Sequence, residues 1–258
     1  MIIKDKAIKF LQSISDEMQP LYLGNSFGKD SIVIERLAKL AGIKYHSYHT
    51  NTTLDPKGTL SFGRKYYPET EILQPNESFY ELVKRKGLPT RLNRYCCDIL
   101  KEYGSIGRNV IEGIRSEESR KRKDRDYIQC DSRKKQKGSK HIYPIYDWTE
   151  KEVWKFIALE NLEVAPAYQN GFTRLGCVGC PMVSKKGVRV AEFQREPKKL
   201  IAITNAIKIG MENNPQWKLS KLTKGNENIA IEWWLSGKTM NEFFNGQIRI
   251  FKDDIKFN

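Results

Sequence analysis

Four of the five cysteines fall in two tight pairs, Cys96–Cys97 and Cys177-Val178-Gly179-Cys180, separated by 177 − 97 = 80 positions. A fold that uses them together has to bring the chain back to its own residue 97 after that interval. Four thiolates so gathered match the ligand set of an iron–sulfur cluster or a structural zinc. Cys177-x-x-Cys180 fits a zinc knuckle, but adjacent Cys96 and Cys97 point apart and suit the separate iron corners of a cluster better than one ion. Cys180-Pro181 echoes the Cys-Pro ending of ferredoxin motifs. Five cysteines with no apolar leader in Met1 to Lys6 point to a reducing, cytoplasmic setting. No apolar run approaches the roughly 18 residues of a membrane span.

A second motif lies upstream. Gly24-Asn25-Ser26-Phe27-Gly28-Lys29-Asp30-Ser31 sits between a short apolar run at 21–23 and a helical pattern from Ser31 to Leu40. A loop entering a helix there offers backbone N–H donors and the positive end of a helix dipole to phosphate or pyrophosphate. Gly28 permits close backbone approach, Lys29 adds charge, Ser26 and Ser31 offer hydroxyls, and Asp30 can hold magnesium or cap the helix. The spacing is too short for G-x-x-x-x-G-K-[ST]. Ser236-Gly237-Lys238-Thr239 is a decoy, because position 232 is Glu where that motif needs its first glycine.

The periodicity predicts helices over 5–18, 31–40, 57–67, 79–86 and 149–159, the last opened by a Thr149/Glu152 capping box. Strands are expected at 21–23, 43–49, 71–73, 109–114 and 142–146. From about 185 the chain reads as helices rich in lysine and aromatics. Strands alternating with helices imply a parallel sheet covered on both faces. The expected organisation is therefore a nucleotide-binding α/β domain over 1–184, including the cysteines, and a helical extension over 185–258.

The formal net charge is +14, which favours an anionic substrate or nucleic acid. The densest basic stretch, Arg115 to Lys140, carries eleven Lys/Arg against five acids and few apolar residues, as a mobile loop would. Cys130 lies in it as a spare thiol, either incidental or a sulfur carrier. Arg91, Arg94 and Arg174 flank the cysteine pairs and can balance a cluster or hold an anionic substrate. His46 and His49 read as packing or surface groups.

Taken together, several blocks resemble the phosphoadenosine phosphosulfate (PAPS) reductase family, within the adenine nucleotide α-hydrolase-like group: Ser26 to Ser31, Asn51 to Pro56, Arg94 to Cys97, Gly113 to Ser119, Tyr143 to Trp148 and Leu175 to Pro181. The resemblance runs from about residue 20 to about 185. It implies a Rossmann-like parallel sheet with an adenine nucleotide across the strand ends. Ser26, Phe27, Gly28, Lys29, Asp30, Ser31, Asn51, Arg115 and Glu118 would then line the nucleotide, and Lys29, Asp30 and Arg115 would be catalytic. It implies a [4Fe–4S] cluster on Cys96, Cys97, Cys177 and Cys180, similar to that of bacterial adenylyl-sulfate reductases and of the ATP pyrophosphatases of DNA phosphorothioation systems.

Two departures bear on the reaction. Asn51-Thr52-Thr53 stands where reductases usually have Asp-Thr-Gly, and Cys180 is the last cysteine, whereas reductases carry a nucleophilic one near the C-terminus. The leading expectation is an ATP pyrophosphatase with magnesium, adenylating an acceptor such as nucleic acid in sulfur transfer, served by a sulfur-donor or electron-donor protein. The alternatives are reduction of adenylyl sulfate or its 3′-phosphorylated form to sulfite, and a non-catalytic nucleotide-binding subunit.

Overall fold

Short β-rich runs alternating with amphipathic segments give the expected alternation of strand and helix. The computed structural model describes residues 2–245 apart from 16, 120, 121, 132–137, 184 and 186. In chain order its main elements are α1 (Ile2–Ser15), β1 (Leu21–Gly24), α2 (Lys29–Ala41), β2 (His46–Thr50), α3 (Thr59–Tyr66), β3 (Glu71–Leu73), α4 (Phe79–Lys86) and α5 (Tyr95–Leu100). There follow β4 (Asn109–Ile111), β5 (Ile128–Cys130), β6 (Lys140–Ile142), α6 (Glu150–Leu159), α7 (Val188–Arg195), α8 (Pro197–Asn213), α9 (Lys218–Thr223) and α10 (Glu227–Ser236).

The chain divides into two compact units. One comprises Met1–Pro75 with Lys101–Gly176, the other Asn76–Leu100 with Cys177–Asn258. A single boundary at 184 does not describe this division. Residues 76–100 join the C-terminal helices because α4 lies against α8 at Gly210, where a Cβ would stand 2.8 Å from the Lys84 carbonyl oxygen. All four paired cysteines therefore belong to the second unit.

The first unit is built on a six-stranded sheet of order β3-β2-β1-β4-β6-β5. Leu23 of β1 lies opposite Ser47 on one side and Ile111 on the other, both parallel. Only β5 runs antiparallel, with Gln129 opposite His141. β1 leads outward to β2 and β3, while β4 leads the other way to β6, so the order reverses between β1 and β4. In open α/β sheets such a switch point leaves a crevice beyond the carboxyl ends of the strands. Here it is bounded by the segments after Gly24 and after Ile111. Leu21 and Leu23 of β1, Ile32, Val33, Ile34 and Leu37 of α2, and Trp148 form the adjoining core with Leu11 of α1.

Differences from the sequence expectations have local causes. β2 starts at His46 because Gly42 (φ 70°) and Ile43 close α2, their N–H groups donating to Lys39 and Ala38 carbonyls. β6 ends at Ile142 because Tyr143 to Trp148 form turns, Tyr146 N–H donating to Tyr143 O and Trp148 N–H to Ile145 O. β4 stops at Ile111, and the glycine beyond it is pressed against α2. The basic stretch contains β5, which its sparse apolar content concealed; its residues 120, 121 and 132–137 lie outside the described residues. The Thr149/Glu152 capping box is present at the start of α6.

Gly63 of α3 faces the ring of Phe27, and a Cβ there would stand 2.3 Å from it. Alanine ordinarily favours a helix over glycine by about 1 kcal/mol. Overpacking costs about 1–3 kcal/mol and decides the sign here. Gly63→Ala is expected to lower the thermal midpoint, measured by calorimetry; a raised midpoint would contradict this packing.

Candidate functional site

The loop after β1 is held from beneath by a buried carboxylate. Glu35 of α2, 1 % exposed, accepts from the Asn25 amide and pairs with Lys39 Nζ at 3.2 Å. Asn25 Oδ1 in turn accepts from Phe27 N–H at 2.7 Å. That turn places Phe27 at φ 58°, a conformation that costs a non-glycine residue on the order of 1–3 kcal/mol. The cost is offset by the ring, which is fully buried and stacks on His49 at 4.6 Å. His49 Nδ1 donates to the Asn25 carbonyl at 2.9 Å. It is a packing group, as expected, and it secures the same loop. Phe27 is thus an anchor of the loop.

Gly28 caps α2 with no side-chain hydrogen bond, which leaves the first-turn N–H donors without a capping acceptor. That of Lys29 is taken by Tyr168 Oη at 2.8 Å. Ser31 Oγ donates to the Gly28 carbonyl at 2.9 Å and lies 3.2 Å from Ser26 Oγ. Lys29 is buried, with its ammonium 3.3 Å from Asp30 and 3.5 Å from Glu150.

Arg115 reaches the same helix start from the far side of the crevice. Gly113 makes this possible, since a Cβ there would stand 2.8 Å from the Asp30 backbone. The Arg115 guanidinium, 4 % exposed, donates through Nε to Asp30 at 2.7 Å and through Nη1 to Glu117 at 2.7 Å. Glu118 accepts from Arg115 N–H at 3.0 Å and pairs with Arg122. Lys29, Asp30, Arg115 and Glu118 are therefore brought together, with Glu117, Glu150 and Tyr168 as members that the sequence reading did not name. Asn51 does something else: its amide donates to Gln74 at 2.8 Å and its oxygen accepts from Thr53 N–H at 2.9 Å, which builds its own turn.

The cysteines form a separate group within the second unit. Cys96 and Cys97 open α5; Cys177 and Cys180 bracket a tight turn in which Cys180 N–H donates to Cys177 O at 3.3 Å. All four are half-buried and in no disulfide. A hydrogen bond with Cys97, burial, and the neighbouring charges of Cys97, Cys177 and Cys180 hold the Cys96 thiol far above its ordinary range. Thiols that act on one another in this way ionise together only against positive charge, and that is the donor chemistry of an iron–sulfur or zinc centre. Among the described residues, no three Cys, His, Asp or Glu side chains already surround a common ion position.

Helix α7 grips the cysteine turn. Gly179, at φ 70°, donates through N–H to Glu192 at 2.8 Å and accepts at its carbonyl from Arg189 Nε at 3.0 Å. A Cβ on Gly179 would stand 2.1 Å from the Phe193 ring. Arg91 donates to the Met182 carbonyl at 3.4 Å, beside this turn, whereas Arg174 lies in the first unit with its guanidinium folded over Gly176. Cys130 is exposed on β5, also in the first unit.

The phosphoadenosine phosphosulfate reductase domain model matches residues 20–183. The chain belongs to that family. Among its curated relatives is an uncharacterized protein of Methanocaldococcus jannaschii, 29% identical over 201 residues, covering 73% of this chain and 48% of the other. The chain thus spans about half the length of that relative. The adenosine 5′-phosphosulfate reductase of Allochromatium vinosum is 25% identical over 191 residues, covering 67% of this chain and 73% of its own. Among solved structures, the phosphoadenylyl-sulfate reductase of Candida auris in its phosphate complex superposes with a TM-score of 0.52 at 19% identity, over 67% of this chain and 88% of that one, a likeness of fold. For this PAPS reductase-family chain, the α/β, Rossmann-like nucleotide-binding sheet is accordingly established. No described helix is long and apolar enough to cross a membrane.

Asn25→Ala removes the acceptor of Phe27 N–H and one donor to the Glu35 carboxylate, which keeps Lys39. Leaving a buried group unsatisfied costs about 1–3 kcal/mol, so denaturant unfolding is expected to register a loss of that size. Adenine nucleotide affinity, read by calorimetric titration, is expected to fall with it. Unchanged stability and affinity would remove Glu35 and Asn25 from the loop's support.

Proposed function

We propose that this PAPS reductase-family chain binds ATP with magnesium at the loop between β1 and α2 and cleaves the α–β bond. A nucleophilic acceptor attacks the α-phosphorus, the bridging P–O bond breaks, and pyrophosphate leaves with the electron pair. The acceptor's proton passes to solvent. The charge balance of the site is the supporting observation. Among the described residues, Asp30, Glu117, Glu118 and Glu150 outnumber the cations Lys29, Arg115 and Arg122 within one network. A network with surplus carboxylate repels a bare polyphosphate and receives one that brings a divalent cation. Lys29 and the first turn of α2 then stabilise charge on the departing pyrophosphate, which is the principal demand of such chemistry. Arg115, freed in part from Asp30, suits the α-phosphate.

Cys96, Cys97, Cys177 and Cys180 would hold a [4Fe–4S] cluster. A cluster anchors its thiolates at four separated corners, and Cys97, Cys177 and Cys180 all lie near enough to act on Cys96. Zinc is the alternative occupant. When bound, the cluster supplies a place to hold or pass sulfur or electrons. An anionic acceptor such as nucleic acid agrees with the net charge of +14. A protein that donates sulfur or electrons, and a cytoplasmic setting, complete the proposal.

The relatives named as adenosine 5′-phosphosulfate reductases favour a second reading. There a thiolate attacks the sulfate sulfur, AMP leaves, and a reductant frees sulfite. Anaerobically purified protein given ATP and magnesium separates the two. Pyrophosphate release is expected, and Lys29→Ala is expected to lower it by about 10²–10³-fold, the size of a lost charge-stabilising donor. Sulfite from adenylyl sulfate, with no pyrophosphate from ATP, would favour the reductase. Cys97→Ala is expected to abolish iron binding and lower the thermal midpoint, since metal binding and folding are linked; iron retained at full occupancy would refute the four-cysteine assignment.

A further inference from the structure

Arg189 is the least explained buried charge in the second unit. It sits on α7, 7 % exposed, in a helix face shared with Glu192 and Phe193. Its Nε donates to the Gly179 carbonyl at 3.0 Å and its Nη1 to the Trp234 carbonyl at 2.5 Å. The guanidinium lies 4.4 Å from the Trp234 ring centroid, and Trp234 is fixed in turn by its indole N–H on the Pro89 carbonyl at 2.6 Å. Nη2 is buried and has no hydrogen-bond partner among the described residues. A buried, unpaired guanidinium N–H costs on the order of 1–3 kcal/mol, so a position that orders the group this tightly calls for an acceptor.

The acceptor is indicated by what surrounds the group. Glu192 and Cys180 are the groups close enough to act on the guanidinium electrostatically. Glu192 is already committed to the Gly179 N–H at 2.8 Å. The Cys180 sulfur, on the residue that follows the Gly179 carbonyl gripped by Arg189, becomes anionic when it ligates a metal. Charge-assisted donors to sulfur stabilise thiolates and set the potential of the centres they hold.

We propose that Arg189 is the positioning and charge-compensating residue of the four-cysteine centre, its Nε fixing the Cys177–Cys180 turn and its Nη2 donating to sulfur there. The inference rests on the cluster assignment made above. Glu192 is its counterpart, holding the N–H of Gly179 while adding negative charge.

Opposite charge changes at these two positions provide the test. Wild type, Arg189→Gln, Arg189→Lys and Glu192→Gln are reconstituted anaerobically with ferrous iron and sulfide. Bound iron, labile sulfide and midpoint potential are then measured. Arg189→Gln is expected to shift the potential negative and to lose iron faster to a chelator. Arg189→Lys is expected to restore the potential toward wild type. Glu192→Gln, whose amide oxygen can still accept from Gly179, is expected to shift it positive and gives the test should Arg189→Gln not fold. Iron-loaded protein with an unshifted potential in Glu192→Gln, or in a folded Arg189→Gln, would overturn this inference alone. A wild type that takes up no iron would overturn the cluster assignment, and this inference with it.

Discussion

The loop between β1 and α2 depends on one buried hydrogen bond, from the Asn25 amide to the Glu35 carboxylate. It ties the end of β1 to the middle of α2 and so fixes the turn between them. Through Asn25 Oδ1 it orders the Phe27 N–H and holds Phe27 in the left-handed region. The Phe27 ring then fills the space left by Gly63 and stacks on His49. With those anchors set, Lys29 and Asp30 begin α2 at the switch point of the sheet. Gly113 allows Arg115 to close on them from β4.

The sequence made the strand–loop–helix alternation legible because apolar runs of length 2–4 between amphipathic segments leave few alternatives. Lys29, Asp30 and Arg115 stood out as candidates for a related reason, since charged residues at glycine-punctuated strand ends suit phosphate chemistry. Phe27 was less so. An aromatic residue with positive φ has no compositional signal, and its role depends on the glycine at 63. β5 was hidden because a short edge strand with one buried neighbour carries little apolar content. Asn51 is spent on its own turn, which its side chain makes as readily as a ligand contact.

The cysteine pairs were visible as a pattern, but not what supports them. Arg189 and Glu192 act on the two backbone polar groups of one residue, Gly179, and an i,i+3 pair of opposite charges usually marks a solvated helix face. The distinguishing sign was Gly179 inside the C-x-x-C turn, a position needing positive φ against an aromatic ring. The placement of these residues with 76–100 in one unit was also beyond local pattern, since it arises from α4 meeting α8 at Gly210, 126 positions from Lys84 (210 − 84). Long-range contacts through a small residue leave no periodic trace.

The central claim is that the carboxylate-bearing network around the loop at the sheet's switch point accepts a polyphosphate together with its divalent cation. Calorimetric titration of the anaerobic protein with ATP, with and without magnesium, and with adenylyl sulfate, tests it most directly. The account predicts ATP binding that requires magnesium and exceeds that of adenylyl sulfate. Tight adenylyl sulfate binding indifferent to magnesium, with ATP bound weakly or not at all, would contradict it.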